Sequence, residues 1–252
     1  MTATTTIEAG IARIELNNPP LNILTRQLLR KIRKDLERLS EEPDLRVLLL
    51  SATGDHFCAG ADVGEHLPPH HLSLIPDFTD TIVALDAFPL PVVAAVRGKC
   101  LGGGFELVQP VDLVVAGAGA VFGQPEIVLG VFPPAACVLL PERLPAGVAA
   151  RLIYHGDPIT AAEAERWGLV ARVVSDDDVE RAALEEAHRL TRHSAVALRA
   201  AKAALRGAGA ATRRTALRAA GNIYMHDLME SSDAVEGLRA FTEKRRPVWK
   251  HK

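Results

Sequence analysis

Short apolar runs alternate with segments of helical periodicity along the first part of the chain. Residues 11–16 alternate apolar and polar side chains, a pattern that predicts a half-buried strand. Leucine and isoleucine recur at helical spacing over 24–39, with Thr25 as the expected N-cap. The fully apolar run 47–50 then predicts a buried strand. This order of strand, helix and strand is typical of an α/β fold with right-handed crossovers.

The alternation continues as far as residue 116. A helix is predicted over 74–87, ending before Pro89, and strands are predicted over 92–96 and 113–116. A cluster of three glycines lies between these two strands, at the expected start of a short helix.

From about residue 160 onward, helical periodicity dominates. The cluster Ser175–Asp178 is expected to cap one of the helices. We therefore predict an α/β core over residues 1–190 and a helical region over residues 191–252. The predicted helices of this part are 160–167, 179–192, 195–206, 212–230 and 233–244.

The charged residues are nearly balanced, with 29 basic and 31 acidic side chains and a formal net charge of -2. Such a balance produces no overall field that favours nucleic acid or an anionic membrane, and neither partner is expected. Basic residues cluster only locally, at 213–214 and 244–246. Two interpretations of these clusters stay open: a solvated helix face, or a site for a phosphate-bearing ligand.

The three cysteines, Cys58, Cys100 and Cys137, lack the spacing of a disulfide framework or a zinc site. Metal-ligand spacing of the HExxH kind does not occur either, so no metal site is expected. Residues 1–10 lack the pattern of a signal peptide, and no apolar run reaches the roughly 18 residues of a membrane helix. These features predict a cytoplasmic protein with reduced thiols.

Two segments could present backbone N–H groups to a ligand. Residues 56–62 follow a buried strand, and their small side chains would let a ligand approach the backbone. Residues 98–106 include the three clustered glycines 102–104 and should open a helix, whose first N–H groups suit a carbonyl oxygen that gains negative charge. Glu106 follows Gly103 by almost one helical turn, so one helix can supply both an N–H donor and a carboxylate. Taken alone, either segment could equally be an ordinary turn.

A second glutamate, Glu126, lies in the segment 122–130 between Pro125 and apolar residues. A carboxyl group in apolar surroundings tends to have a raised pKa, which suits a general acid near neutral pH. The alternative for this segment taken alone is a glutamate on a surface loop.

In this order, the three segments resemble the crotonase (enoyl-CoA hydratase/isomerase) superfamily. The likeness covers nearly the whole chain, and three ordered motifs are far more specific than any one of them. The resemblance implies a spiral of ββα turns followed by helices that help to form a homotrimer, often paired into a homohexamer. The segments that carry it are Cys58–Asp62, Leu101–Glu106 and Phe122–Glu126, with further likeness at 22–24, 159–170 and 241–245.

The resemblance also implies an enzyme, a hydro-lyase that acts on an acyl-CoA thioester. The N–H groups of Ala59 and Gly103 would form an oxyanion hole, Glu106 would activate water, and Glu126 would deliver a proton to carbon. Coenzyme A would be part of the substrate, so no separate cofactor is implied. The residues expected to contact the CoA thioester are Asn22, Leu24, Ala59, Ala61, Asp62, Val63, Gly102, Gly103, Pro125, Phe241 and Lys244.

The segment 130–141 bears on the choice of substrate. It carries two consecutive prolines, at 133 and 134, where fatty-acid hydratases of the superfamily look glycine-rich. It resembles a subgroup that converts cyclohexa-1,5-diene-1-carbonyl-CoA to 6-hydroxycyclohex-1-ene-1-carbonyl-CoA in anaerobic aromatic degradation. The alternatives are hydration of linear 2-enoyl-CoA esters, double-bond isomerisation, thioester hydrolysis, and a non-catalytic CoA-binding or RNA-binding role. The paired glutamates argue against the last of these.

Overall fold

The computed structural model describes residues 2–207 and 209–251. Its strands are β1 (Thr2–Glu8), β2 (Ile11–Asn17), β3 (Val47–Ala52), β4 (Val92–Val96), β5 (Lys99–Leu101), β6 (Leu113–Gly117), β7 (Val121–Gly123), β8 (Ile159–Thr160) and β9 (Arg172–Val174). Its helices are α1 (Arg26–Ser40), α2 (His71–Asp86), α3 (Gly103–Val108), α4 (Pro134–Arg143), α5 (Ala146–His155), α6 (Ala161–Arg166), α7 (Val179–Thr191), α8 (Ala195–Gly207), α9 (Ala210–Asn222) and α10 (Ser232–Thr242). Short 3-10 turns span Gly64–His66, Pro125–Leu129 and Asp176–Asp178, and a π-helical turn spans Ile223–Leu228.

The strands form two sheets. The larger has the order β1-β2-β3-β4-β6-β9, in which β1 and β2 are antiparallel and the other pairs are parallel. The smaller has the order β5-β7-β8. After β4 and after β6, the chain passes from the large sheet into the small one before it forms the next helix or 3-10 turn. The predicted spiral of ββα turns is confirmed.

Pairing within the small sheet brings the three motif segments together. Cys58 forms an isolated parallel bridge to Cys100 in β5, and β5 in turn pairs in parallel with β7. At the ends of these strands, the Leu101 N–H donates to the Cys58 oxygen and the Gly102 N–H to the Gly123 oxygen, both at 2.9 Å. Because the strands end side by side, the segments that follow them begin next to one another.

The apolar strand β3 is buried on both faces. Leu48 and Leu50 pack into the main core with α1 and α2, whereas Val47 and Leu49 pack against α7. A strand covered on both sides needs apolar residues at every position, which explains the continuous run.

The sequence pattern predicted neither the short strands β5, β7, β8 and β9 nor the seven-residue strand β1. Strand β1 pairs antiparallel with β2 along its whole length. Four of its seven residues are threonine, and Ala3 is its one buried apolar residue among those described for burial. Alternation of apolar and polar residues is therefore too weak to indicate a strand here, although β-branched threonine suits one.

Every predicted helix is present, with differences at the ends, but the sequence pattern did not predict α4 or α5. Thr25 caps α1 as expected, since its hydroxyl accepts from the Leu28 N–H at 3.3 Å. Ser175 does not cap α7, because its hydroxyl donates to Asp178 and the residues between form a 3-10 turn. The helix predicted over 212–230 is α9 followed by the π-helical turn at 223–228.

The C-terminal helices pack onto the preceding part of the chain. Helix α9 contacts α2 and α4, and α10 contacts the 3-10 turn that carries Glu126. Buried Lys202 anchors α8 by donating to the Leu90 oxygen at 2.7 Å and pairing with Asp112 at 2.8 Å. The proposed domain boundary near residue 190 stays a prediction.

Arg213 and Arg245, one from each basic cluster, lie in ion pairs. Arg213 pairs with Glu142 and Asp86, and Arg245 pairs with Glu236 and Glu243. These contacts occupy both guanidinium groups within the chain, which argues against a phosphate-bearing ligand at either position. Among the described residues, no helix is long and apolar enough to cross a membrane.

Candidate active site

A cavity of about 300 Å³ lies where the three motif segments meet. Glu106, Glu126, Ala61 and Gly103 all contribute to its wall. Most of the remaining lining is apolar and comes from α2, from the segment before α4 and from the C-terminal helices. An apolar cavity with a few convergent polar groups is the usual form of a small-molecule site.

Asn22 supports the loop around Cys58 through side-chain hydrogen bonds. This residue is fully buried, and its side-chain amide donates to the Thr53 and His56 oxygens at 2.8 Å each. Leu24 pairs with the loop through two backbone bonds of 2.9 Å, from its N–H to the Gly60 oxygen and from the Asp62 N–H to its own oxygen. The prediction of direct ligand contact at Asn22 and Leu24 is wrong, since both are fully buried and support the loop instead.

The prediction that the Ala59 N–H forms an oxyanion hole is also wrong. That N–H donates to the Leu21 oxygen at 2.9 Å and is not available to a ligand. Two nearby N–H groups, those of Ala61 and Gly103, have no acceptor among the described residues. They are neighbours, because a Cβ added to Gly103 would lie 3.4 Å from the Ala61 nitrogen. Both residues line the cavity, so this pair can receive a carbonyl oxygen.

Glycine is required at two of the three clustered positions, for separate steric reasons. Gly102 has φ +53°, which favours glycine, and a Cβ there would lie 2.8 Å from Oε1 of Glu126. Gly104 lies against the preceding turn of the spiral, where a Cβ would meet the Cys58 oxygen at 2.5 Å. The cluster therefore permits close approach of Glu126 on one side and of the Cys58 loop on the other.

Glu106 is 3 % exposed, and its carboxylate lies at the N-terminus of α4. Its Oε1 accepts from the Ala135 N–H at 2.8 Å and from the Ala136 N–H at 3.0 Å. Pro134 at the first helical position has no N–H. The N–H groups of the next two residues, Ala135 and Ala136, have no acceptor within the helix, and they donate to the Glu106 carboxylate. The helix dipole at this end also favours negative charge.

Glu126 lies on the 3-10 turn after Pro125, and a glutamine holds it. The Gln124 amide nitrogen donates to both Glu126 carboxylate oxygens at 3.1 Å, and its oxygen accepts from Nε2 of Gln109 at 2.8 Å. This amide orientation follows from the hydrogen bonds, since the opposite one would place oxygen against oxygen. The sequence prediction missed both glutamines, although an amide directly before Pro125 was a usable signal for Gln124.

The two glutamates have unequal affinities for a proton. Burial raises the pKa of Glu106 to about 7, and the N–H bonds from Ala136 and Ala135 oppose the rise. Burial and the negative charge of Glu106 raise the pKa of Glu126 well above its ordinary value. Near neutral pH, the pair therefore favours a state in which Glu126 holds a proton and Glu106 is available as a base.

The rest of the cavity wall includes residues that the sequence prediction did not single out. Phe78 from α2 contributes an aromatic ring to the wall, and His66 and Tyr224 contribute side chains with polar groups. No motif indicated Tyr224, which reaches the site only because the helices after residue 195 fold back. Phe132 and Pro134 extend the wall, so the proline-rich segment borders the cavity.

The other residues predicted to contact CoA fall into two groups. Ala61, Val63, Gly102, Gly103, Pro125 and Phe241 line the cavity, as does Ala59 despite its occupied N–H. Asp62 lies instead in a neighbouring polar cleft with Arg26 and Arg30, and Lys244 is exposed. A ligand contact from Lys244 of a neighbouring subunit stays a prediction. Among the described residues, no group of three His, Cys, Asp or Glu side chains is placed to hold a metal ion.

The sequence of this chain is similar to a known protein family and to individual proteins. A sequence model of the family described as enoyl-CoA hydratase/isomerase matches residues 6–252. Cyclohexa-1,5-dienecarbonyl-CoA hydratase of Thauera aromatica is 38% identical over 247 residues, covering 97% of this chain and 95% of that protein. Enoyl-CoA hydratase domain-containing protein 3, mitochondrial, of Rattus norvegicus is 32% identical, covering 96% of this chain and 82% of that protein.

Solved structures agree with the sequence relatives. An enoyl-CoA hydratase from Mycobacterium avium subsp. paratuberculosis has a TM-score of 0.89 at 28% identity and covers 98% of both chains. An enoyl-CoA hydratase/isomerase from Pseudoalteromonas atlantica has a TM-score of 0.90 at 28% identity, with 98% of this chain and 99% of that chain covered.

Proposed function

The chain belongs to the crotonase (enoyl-CoA hydratase/isomerase) family, and from that premise we propose that it hydrates a conjugated acyl-CoA thioester. The proposed reaction converts cyclohexa-1,5-diene-1-carbonyl-CoA to 6-hydroxycyclohex-1-ene-1-carbonyl-CoA. One observation carries the proposal: two carboxyl groups of unequal pKa border the same cavity as two unpaired backbone N–H groups. Hydration needs one base for water, one acid for carbon, and donors for the thioester oxygen.

In the proposed mechanism, the N–H groups of Ala61 and Gly103 donate to the thioester oxygen. Glu106 takes a proton from water while the water oxygen bonds to the β carbon. The π electrons move toward the thioester, and its oxygen gains negative charge that the two donors stabilise. Glu126 then gives its proton to carbon, at the far end of the diene for a cyclic substrate. Proton exchange between the glutamates restores the starting state.

The cyclic substrate is supported by the wall of the cavity and by one relative. Phe132 and Pro134 border the acyl space, in the segment that departs from fatty-acid hydratases. The Thauera aromatica relative, at 38% identity, is named for the cyclic diene thioester. Other relatives are named enoyl-CoA hydratases, which makes a linear 2-enoyl-CoA the second candidate substrate.

Substrate preference tests the proposal directly. We expect kcat/KM for cyclohexa-1,5-diene-1-carbonyl-CoA to exceed that for crotonyl-CoA by at least about tenfold, because the rigid wall suits a ring. Mass spectrometry of the product should show addition of one water with the thioester intact, which distinguishes hydration from isomerisation and hydrolysis. A clear preference for crotonyl-CoA would contradict the cyclic substrate and favour the linear one.

The pH dependence of the reaction follows from the pKa directions of the pair. Because Glu106 acts as a base, kcat/KM should rise as pH increases through about 7, where Glu106 loses its proton. It should fall at higher pH, where Glu126 loses the proton that it must donate. A profile from pH 5.5 to 10 measures both limbs. A profile that is flat below pH 8 would contradict the base role of Glu106.

The position of coenzyme A and the assembly are further parts of the proposal. We propose that pantetheine passes Ala61 and Val63 and leaves the cavity beside Phe241, which lines it and is 56% exposed. A homotrimer or homohexamer and a cytoplasmic location stay predictions from sequence.

A further inference from the structure

The hydroxyl group of Tyr224 is buried in the cavity wall without a partner. Tyr224 is 1 % exposed, it lies on the π-helical turn at 223–228, and it lines the cavity with both glutamates. Its hydroxyl has no hydrogen-bond partner among the described residues. A buried hydroxyl without a partner destabilises a fold, and π-helical turns often occur at functional sites. A phenylalanine would fill the same space without this cost.

The surroundings of the ring keep the hydroxyl protonated. Phe132 packs against the Tyr224 ring with centroids 5.6 Å apart, on a largely apolar side of the cavity. Burial raises the pKa of Tyr224 above its ordinary value, and Glu126 and Glu106 raise this pKa further when they are ionised. Tyr224 is therefore a neutral O–H donor near neutral pH.

His66 supplies the complementary acceptor. Its ring lies 6.1 Å from the Tyr224 ring, centroid to centroid, and it lines the same cavity. Nδ1 lies 2.8 Å from the Asp62 carbonyl oxygen, which can only accept, so Nδ1 carries the hydrogen. Burial lowers the pKa of His66 and keeps the ring neutral, which leaves Nε2 as an acceptor.

We propose that the Tyr224 hydroxyl and Nε2 of His66 form a donor and acceptor pair that binds the hydroxyl group of the hydrated acyl thioester. This inference rests on the proposed function, because hydration creates that hydroxyl beside the two glutamates. Tyr224 donates to the hydroxyl oxygen, and His66 accepts its hydrogen. A purely hydrocarbon acyl group would leave the buried Tyr224 hydroxyl unpaired, so the pair selects for an oxygen on the acyl group.

Binding of a matched pair of thioesters tests the proposal. The probes are cyclohexane-1-carbonyl-CoA and 2-hydroxycyclohexane-1-carbonyl-CoA, which differ by one hydroxyl at the β carbon. Binding is measured by calorimetry in the Glu106→Gln background, with mass spectrometry to verify that the hydroxyl probe is not dehydrated. We expect the hydroxyl probe to bind about tenfold more tightly than the other.

Adding Tyr224→Phe should remove that preference. The expected result is a tenfold loss of affinity for the hydroxyl probe and less than a twofold change for the other. Tyr154→Phe is the matched control, since Tyr154 is the other of the two tyrosines in the chain, is 72 % exposed and does not line the cavity. Equal loss for both probes, or no loss for either, would overturn the proposal.

A second measurement separates this inference from the choice of ring substrate. If neither ring probe binds, the cyclic substrate is wrong, and Tyr224→Phe is then tested by hydration of crotonyl-CoA in the otherwise native protein. We expect kcat to fall about tenfold while the melting temperature stays the same or rises, because the variant loses an unpaired hydroxyl. Wild-type kcat in that assay would overturn the role of Tyr224.

Discussion

Replacing either Glu106 or Glu126 with glutamine should lower kcat by about a thousandfold or more while the protein stays folded. General acid and base groups each contribute about 10²–10⁴ to rate, and the amide can neither take a proton from water nor give one to carbon. The side chains keep their size, so the cavity keeps its shape. Steady-state hydration of cyclohexa-1,5-diene-1-carbonyl-CoA, or of crotonyl-CoA, measures the loss.

Stability provides the accompanying test for Glu106→Gln. The pKa of Glu106 is 4.5 in the unfolded chain and about 7 in the fold, so the fold holds a proton that the unfolded chain has lost. Stability therefore falls as pH rises from about 4.5 to 7, by up to about 3 kcal/mol once the group is fully ionised. Glutamine does not titrate, and its oxygen can still accept from the Ala135 and Ala136 N–H groups.

Glu106→Gln should therefore unfold at a higher denaturant concentration than the wild type at pH 8, and at a similar one near pH 4.5. Exposed Glu37→Gln serves as the control and should change neither stability nor rate. Loss of both stability and activity in Glu106→Gln would mean that the residue is structural. Full activity in either variant would show that the role assigned to that glutamate is wrong.

Gly103→Pro should lower kcat by about 10²–10³, because it removes one of the two donors proposed for the thioester oxygen. Proline is favoured at the first position of a helix, which Gly103 occupies in α3. The substitution thus removes the N–H at a helix position that commonly accepts proline. Most of the loss should fall on kcat, since charge on the oxygen develops only in the transition state.

Gly103→Ala is the matched variant, because it adds a Cβ and keeps the N–H. That Cβ would lie 3.1 Å from Cε2 of Phe78, so this ring must shift by a few tenths of an ångström. We expect Gly103→Ala to retain most of the activity, within about tenfold of the wild type. Equal loss in both variants would indicate that crowding against Phe78, and not the missing donor, lowers the rate. Circular dichroism should show that both variants are folded.

Much of the fold could be predicted because its signals are local. The helix α1 repeats its apolar residues at helical spacing and begins at a capping threonine, and β3 is apolar because helices cover both of its faces. The strand β1 could not be predicted in this way. Its threonines pair with β2 through the backbone, and that interaction leaves almost no apolar pattern along the sequence.

The site was predictable only in part. The positions of Glu106 and Gly103 follow from their separation by almost one helical turn, which is a property of the chain itself. The other N–H donor does not follow from any local property. Ala59 and Ala61 are the same residue type two positions apart, and they differ because the Ala59 N–H bonds to Leu21.

By itself, the sequence determined the α/β order of the core, the two glutamates and the glycine-rich turn, because each depends on residue types at short, regular separations. The ββα spiral was implied only by the resemblance of the three ordered motifs to the crotonase superfamily. The tertiary structure alone decided which N–H groups remain free, that Gln124 holds Glu126, and that Tyr224 and His66 reach the cavity. These features arise where segments far apart in the chain pack together. Burial and mutual charge at that junction also decide which glutamate keeps its proton, since solvation depends on the whole surroundings of a group.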